Sequence, residues 1–397
     1  MPLSDTRLLK SITLVNLLSY GSAGAPIELT PLNVLIGPNG SGKSNLVEAV
    51  SLLQASPKKL GANDLRDVIG NGGGVEEWIW KGASRKIASI DVLITNPRGL
   101  QPLRHVLAFR EQSQTFHLED ERIENEHPDS GQERPYFYYQ YQQGHPVLNI
   151  SGQQRGLMRE SVLPDSSILS QRQDPEQYPE VTYLGTVYDK IRIYREWTFG
   201  RNAVFRVPQK SDVRNDRLEE NFSNLGVFLN KLRRNVPVKN KLVSALRDLY
   251  EGLTDFDVSI EGNTVQIYFT EGDFSVPATR LSDGTLRYLC LLAILCDSTP
   301  PPLICIEEPE IGLHPDLIPK IAELLLAASE RTQVIVTTHS DILIDALSDH
   351  PEVVLVCEKH NGETTVKRLN ATNLSIWLDK YRLGDLWMKG ELGGTRW

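Results

Sequence analysis

Residues 37–44 read GPNGSGKS, the G-x-x-x-x-G-K-[ST] spacing that wraps backbone around phosphate. Gly37, Gly40 and Gly42 let successive N–H groups turn inward as an anion nest, and a helix running from Ser44 adds the positive end of its dipole. Lys43 would set a point charge between the β- and γ-phosphates of a nucleotide, and Ser44 a hydroxyl on Mg²⁺. Asn39, Ser41 and Asn45 complete the expected nucleotide contacts. An ordinary glycine-rich turn is the competing reading. The context decides against it, because the stretch follows the apolar LNVLIG and opens the helical SNLVEAVSLLQAS.

A second group of residues could act on what that loop holds. PPLICIEEPEIGLHP puts Glu307 and Glu308 at the C-terminal end of an apolar strand, the edge at which open α/β sheets bind ligands. Two buried carboxylates are costly unless a cation compensates them. Glu307 is therefore expected to hold Mg²⁺, and Glu308, turned the other way, to polarise an attacking water. The alternative is a surface pair at a strand end. VIVTTHS ends a further apolar strand on His339, placed to donate to a γ-phosphate, although a lone strand-end histidine is more often structural. A second phosphate-type turn, LSDGT at 281–285, opens the apolar helix LRYLCLLAIL and offers Ser282 and Gly284.

These groups need a scaffold, and the flanking patterns supply one. PLICIEE, TQVIVTTHS and VVLVCEK are all-apolar strands separated by the helical DLIPKIAELLLAASE and SDILIDAL, which implies a parallel sheet covered on both faces. From ASIDVLIT to PYFYYQYQQ, alternating stretches broken by Gly, Pro, Asn and Asp predict an antiparallel meander. Residues from about 160 to 250 show helical spacing around a break at Pro237 and predict a mostly helical insertion.

The bulk numbers set limits. A chain of 397 residues with 40% hydrophobic content is long enough for one large core or two modest ones. The net charge of −9 excludes a polycation that binds nucleic acid by bulk charge, so any DNA contact must be local. Cys290, Cys296, Cys305 and Cys357 lie in apolar runs without metal-like spacing and read as buried thiols of a reducing compartment. The opening residues lack a cationic start and cleavage site, and the longest apolar run is half a membrane span, so a cytoplasmic, unanchored protein is expected.

In order, GPNGSGKS, LSDGT, IEEPEIGLHP and TTHS resemble the Walker A, signature, Walker B with D-loop, and switch-histidine motifs of ABC-type ATPases. The wording GPNGSGKSN and EEPEIGLHP is similar to the SMC/RecF/OLD branch, and within it to stand-alone AAA-family (AAA_21-like) ATPases of prokaryotic defence operons. The motifs cover residues 8–55 and 275–345, and LGDLWMKGELGG is similar to that subgroup's tail. The resemblance implies an α/β fold: an ABC-type P-loop head with a mostly parallel core sheet, an antiparallel β subdomain and a helical insertion. It divides the chain into an ATPase lobe at 1–160, the insertion with a Q-loop at 161–255, and a second lobe at 256–397.

It also implies ATP and Mg²⁺ as cofactors and a slow ATPase activity. Lys43 would bind phosphate, Ser44 and Glu307 would serve Mg²⁺, Glu308 would be the catalytic base and His339 the γ-phosphate sensor. Ser282 and Gly284 would complete the site from a second subunit in a two-fold homodimer. For the family's metal-coordinating glutamine the candidate is Gln171 in ILSQRQDPEQYPE, with Gln173 in reserve, against the plain reading of a solvated loop. Tyr20 is placed either to stack on adenine or to fill the core. The chain departs from the pattern twice. Glu307 stands where most relatives have Asp, and Asp283 replaces the first Gly of the usual signature pair, so its charge must point aside or meet a cation such as Arg287.

Residues 45–281 show no sustained heptads and only 58 residues follow His339, too few for the Toprim nuclease domain of OLD-type proteins. The expectation is a compact head whose ATP state regulates a separate effector, such as a nuclease encoded nearby, in anti-phage defence. The alternative is a RecF-like DNA-repair ATPase that clamps DNA, for which Lys231, Arg233, Arg234, Lys239 and Lys241 form a local basic cluster; a solvated helix face paired with RLEEN is the competing reading. A transporter's nucleotide-binding subunit ranks below both. Residues 72–74 with Trp78 and Trp80 read as a mobile element or a plain turn, and LWMKGELGGTRW as a docking tail or one tucked on its own sheet.

Overall fold

The computed structural model describes residues 6–394 apart from 143, 151–152, 158–161, 198–199, 202, 205 and 250–251. Six strands form one sheet in the order Arg192–Tyr194, Leu303–Glu307, Gln333–Thr337, Leu32–Ile36, Val354–His360, Glu363–Arg368. The first five are parallel, and only the last joins antiparallel. Their side chains alternate between two cores: Val34, Ile36, Ile304, Ile306, Val334 and Val336 enter one, while Leu35, Leu303, Cys305 and Ile335 enter the other. A strand covered on both faces has no solvent side, which is why these segments read as unbroken apolar runs. The sheet is thus the mostly parallel one that the sequence implies.

Helix Lys43–Ala55 occupies the layer between this sheet and a second one, and it is buried nearly all round. The second sheet has eight antiparallel strands, ordered Ile27–Glu28, Leu9–Val15, Ile87–Ile94, Leu103–Gln112, Thr115–Asn125, Phe137–Gln142, His145–Ile150, Gln153–Gly156. From Ile87 onward it is the expected meander. Strand Ile87–Ile94 shows the reason: Ala88, Ile90, Val92 and Ile94 are buried and the residues between them are not.

The opposite core packs helices Leu225–Leu232, Val236–Leu249, Asp283–Leu295 and Ile318–Ser329 with a small antiparallel sheet built on Leu253–Glu261 and Thr264–Glu271. The stretch read as mostly helical carries helices Pro179–Asp189, Leu225–Leu232 and Val236–Leu249, and also two short strands that its polar surroundings hide. Arg192–Tyr194 forms the edge of the parallel sheet, and Gln209–Lys210 pairs with Val265 and Thr264. The expected break falls at 233–235, between helices Leu225–Leu232 and Val236–Leu249, just before Pro237. Pro237 itself is the second residue of Val236–Leu249, where a missing N–H costs nothing. All four cysteines are buried thiols. Among the described residues no helix is long and apolar enough to cross a membrane.

Candidate nucleotide site

Strands Leu32–Ile36, Leu303–Glu307 and Gln333–Thr337 are neighbours and parallel, so the phosphate loop, the two glutamates and His339 all leave the sheet at one edge. This topology gathers residues that lie some 270 to 300 positions apart in the chain.

The loop is held in shape from below. Gly37 has φ +144° and Gly42 φ +100°. A Cβ on Gly37 would lie 2.2 Å from the carbonyl oxygen of Cys357, and one on Gly42 2.2 Å from Thr364 Oγ1, so side chains are barred by contact as well as by conformation. Thr364 Oγ1 donates to the carbonyl of Ser41 at 2.9 Å and lies 2.6 Å from Ser19 Oγ, which accepts from Asn45 Nδ2 at 2.6 Å. A buried polar network from the hairpin of Val354–His360 and Glu363–Arg368 therefore fixes both ends of the loop. Lys43 is buried, and its Nζ donates to the carbonyls of Gly37 at 2.7 Å and Pro38 at 3.1 Å. Burial lowers its pKa, against the opposing pull of Cys357, Glu308, Glu307 and Glu310.

The Ser44 side chain lies close enough to the Glu307 carboxyl to act on its pKa, so the two expected Mg²⁺ ligands are neighbours. Burial raises the Glu307 pKa; Ser44 and the charge of Arg195 oppose this, while Glu48 and Glu308 add to it. Its Oε1 is buried without a hydrogen-bond partner among the described residues. A half-desolvated carboxylate and a hydroxyl converging on one point are hard oxygen donors of the kind Mg²⁺ takes, so these residues fit the ion.

Glu308 is a non-glycine residue at φ +47°, a conformation that persists only where its surroundings impose it. Three contacts do so. Its N–H donates to the carbonyl of Thr337 at 2.9 Å, its own carbonyl accepts from Arg287 Nη2 at 2.6 Å, and its Oε1 lies 3.6 Å from His339 Nε2. Glu310 braces the histidine strand by accepting from Thr338 Oγ1 at 2.6 Å and from the His339 N–H at 2.8 Å. Glu307, Glu308, Ser44 and His339 therefore belong to one constellation.

The LSDGT turn is built differently from the phosphate loop. Ser282 caps helix Asp283–Leu295, its Oγ accepting from Thr285 N at 3.1 Å, and it is exposed. Gly284 is pressed against the D-loop, since a Cβ there would lie 2.9 Å from the carbonyl of Gly312. Asp283 does not meet Arg287. It pairs with Arg206, Nη2 to Oδ1 at 2.7 Å, and accepts from the Gly200 N–H at 3.2 Å. Arg287 is 1% exposed and lies inside, its guanidinium 4.2 Å from the ring centroid of Trp197, whose Nε1 donates to the carbonyl of Glu307 at 3.0 Å. Burial lowers its pKa to about 10, which leaves it charged at neutral pH.

The family model that describes an "AAA domain, putative AbiEii toxin, Type IV TA system" matches residues 32–345. The chain belongs to this family. It is an SMC-like ABC-type ATPase head by fold. An SMC head bound to the C-terminal winged-helix domain of ScpA superposes with TM-score 0.59 and 13% identity, covering 92% of this chain and 99% of that one. An SMC head with extended coiled coil from Pyrococcus furiosus, bound to the C-terminal domain of ScpA, gives TM-score 0.53 and 13% identity over 94% of this chain and 99% of that one. In sequence, 100 residues are 34% identical to the chromosome partition protein Smc of Desulfitobacterium hafniense (strain Y51), which is 24% of this chain and 8% of that protein's length. Membership implies use of ATP and, with it, Mg²⁺.

Several expected residues lie elsewhere in the AAA head. Gln171 is occupied by its own turn: Nε2 donates to the carbonyls of Ser166 at 2.7 Å and Leu163 at 3.3 Å, and Oε1 accepts from Leu163 N at 2.8 Å. Gln173 likewise donates to Leu169. Neither side chain is directed to the Ser44 and Glu307 pair. Tyr20 cannot stack on adenine, being buried with its hydroxyl donating to the carbonyl of Gly42 at 3.2 Å. In the basic cluster, Arg233 pairs with Asp257 and Lys239 with Asp255 at 2.7 Å, both on strand Leu253–Glu261, while Lys231 donates to the carbonyl of Asp216, the residue before RLEEN, at 3.0 Å. Trp78 is buried and closes the cap of helix Leu65–Asn71, and Trp387 is buried with Nε1 donating to Gly394 at 3.2 Å. Trp397 and Arg396 lie outside the described residues.

Three side chains of the site escape a motif reading: Trp197, Arg287 and Arg195, the last leaving the sheet beside Glu307 and pairing with Glu48. No motif spacing in the sequence marks them.

Proposed function

We propose that this chain hydrolyses ATP as a two-fold homodimer in the cytoplasm, and that its nucleotide state controls a separate effector protein in prokaryotic anti-phage defence. The observation that carries the dimer is the position of Ser282. Its hydroxyl is exposed at the open end of an apolar helix and is bonded to Thr285 of its own turn, which leaves the N-terminus of that helix to close over the γ-phosphate of a second copy.

Within each site, Lys43 and the inward N–H groups of residues 37–44 bind the phosphates. Ser44 and Glu307 hold Mg²⁺, which when bound neutralises charge on the β- and γ-phosphates. Glu308 accepts the proton of the attacking water, and His339, braced by Glu310, donates to the γ-phosphate. Two strand-end side chains 3.6 Å apart suit this division of labour. The strained Glu308 backbone supports the reading, since such conformations cluster where geometry matters to chemistry.

Control of a partner is supported by the toxin–antitoxin wording of the family and by the ScpA-bound state of the similar heads. The pairing of Arg233 and Lys239 weighs against a DNA clamp built on that cluster. Light scattering with and without Mg-ATP, on the native chain and on Glu308→Gln, tests the proposal. A dimer that accumulates with ATP and persists in the variant supports it, and a monomer under every condition rejects it.

A further inference from the structure

Residues 383–394 return to the phosphate loop from the far side of the histidine strand. Helix Leu383–Met388 packs on helix Asp341–Asp345, whose cap Ser340 is next to His339 in the chain. Gly384 N donates to Asp345 Oδ1 at 3.1 Å and Leu383 N to Ser348 Oγ at 2.9 Å, with Leu383, Leu386 and Trp387 buried. The backbone then turns, Glu391 N donating to the carbonyl of Leu386 at 3.0 Å and Gly393 N to that of Gly390 at 3.2 Å, and reaches strand Val354–His360 beside Gly37.

Gly394 is held there by both of its backbone groups. Its N–H donates to Glu358 Oε1 at 2.9 Å, and its carbonyl accepts from Trp387 Nε1 at 3.2 Å. It has φ +66°, and a Cβ on it would lie 2.9 Å from Val356 Cγ1 and 3.3 Å from the Cα of Gly37. The first residue of the phosphate loop is thus packed against both the Cys357 carbonyl and Gly394, an approach that two facing glycines permit.

Gly37 is where the strand ends and the anion nest begins, so whatever fixes its backbone aims the N–H groups that follow. Thr364 and Ser19 secure the loop near Ser41 and Gly42, and the strap from Lys389 to Gly394 adds a stop at Gly37.

We infer that this strap is a positioning element of the nucleotide site. Glu358 and Trp387 hold Gly394 against Gly37, the docked strap keeps the loop shaped for phosphate, and by reciprocity bound nucleotide tightens the strap. A partner that lifts the strap therefore lowers ATP affinity without touching the nucleotide. The inference rests on the reading of residues 37–44 as the ATP site.

Equilibrium binding of Mg-AMPPNP, steady-state hydrolysis and amide hydrogen exchange on the full chain test it. Glu358→Leu removes the acceptor, and Gly394→Ala forces a Cβ toward Gly37. Each should raise the Kd for Mg-AMPPNP about fivefold or more, with kcat at saturating ATP within about twofold because Glu307, Glu308 and His339 are untouched. Glu358→Gln keeps a side-chain oxygen for the Gly394 N–H and should bring Kd back to within about twofold of the native value. In the native chain Mg-AMPPNP should slow exchange of the amides at 389–394, an effect that Glu358→Leu abolishes. Where Glu358→Leu does not fold, Gly394→Ala reads the same contact from its other side. An unchanged Kd in these two variants, a Glu358→Gln chain as weak as Glu358→Leu, or strap exchange indifferent to nucleotide overturns the inference alone. A native chain that binds no Mg-AMPPNP rejects the ATP site, and the inference with it.

Discussion

Arg287 Nη2 donates to the carbonyl oxygen of Glu308 at 2.6 Å, so the second turn of the signature helix grips the backbone of the carboxylate that faces His339. The grip is rigid because the guanidinium is buried and stacked on Trp197, and Trp197 in turn donates to Glu307. Whatever tilts helix Asp283–Leu295, such as the proposed closure of Ser282 over a partner's nucleotide, is thereby felt at Glu308 of the same chain.

Arg287→Lys should therefore separate binding from turnover. The ammonium keeps the charge but lacks the planar stack on Trp197 and the fixed Nη2 donor. Losing one charged hydrogen bond of about 1.5–3 kcal/mol predicts that kcat falls by about tenfold or more, while the Kd for ATP stays within about twofold. Steady-state rates together with equilibrium nucleotide binding measure the split, and a parallel rise in Kd would show that Arg287 merely supports the fold.

Asp283 looked out of place beside phosphate, and the pairing with Arg206 changes what its removal should do. Its carboxyl is held below the usual range by the Arg206 hydrogen bond, with burial opposing and the Gly200 N–H and the Arg206 charge adding to it. A depressed folded-state pKa means that the contribution is complete above the ordinary aspartate range and is lost as pH falls through the lower folded value. Asp283→Asn should thus cost under about 1 kcal/mol at neutral pH, as for other exposed pairs, with the difference from the native chain vanishing in acid. Urea melts at several pH values check this, and a difference that grew in acid would contradict the pairing.

How much of this was readable beforehand depends on where the information lies in the chain. The phosphate loop, both glutamates and the parallel sheet were legible because each is local: a fixed spacing, or an apolar run that only a doubly covered strand produces. Arg195, Arg206 and Arg287 were not, since a lone arginine between hydrophobic stretches carries no spacing that reports its partner. Arg287 sits among leucines in LRYLCLLAIL, where helical position alone pointed to Asp283, one turn away; only the packing of Trp197 reveals that it turns inward. Gln171 misled for the converse reason. A glutamine-rich loop offered the right residue type, while its amide was needed to close the turn at 163–167.

Glu307→Gln should stabilise the nucleotide-free protein while abolishing turnover. The carboxylate is half-desolvated, its pKa is raised by burial, and Glu48 and Glu308 repel it. A neutral amide of the same size removes the cost of burying that charge, and an increase of about 1 kcal/mol is expected, the usual trade between stability and a functional carboxylate. Thermal unfolding without nucleotide measures it, and a lower midpoint for the variant would mean that Ser44 and Arg195 already compensate the charge in full.

Gln171 and Arg195 make opposite predictions. Among the described residues the Gln171 side chain binds only backbone groups of its own turn, so Gln171→Ala should leave ATP hydrolysis and its Mg²⁺ dependence within about twofold and cost about 1–2 kcal/mol of stability from the lost turn bonds. Arg195→Gln removes a cation beside Glu307 and leaves Glu48 unpaired, which makes the local potential more negative. A more negative site attracts Mg²⁺ and repels nucleotide, so the apparent Mg²⁺ affinity should rise severalfold while ATP binding weakens by a similar factor, both effects shrinking at high salt because the ion pair is partly exposed. Titrating Mg²⁺ at fixed ATP, and ATP at fixed Mg²⁺, distinguishes the two variants; Mg²⁺ dependence that moved with Gln171→Ala and not with Arg195→Gln would return the glutamine to the metal.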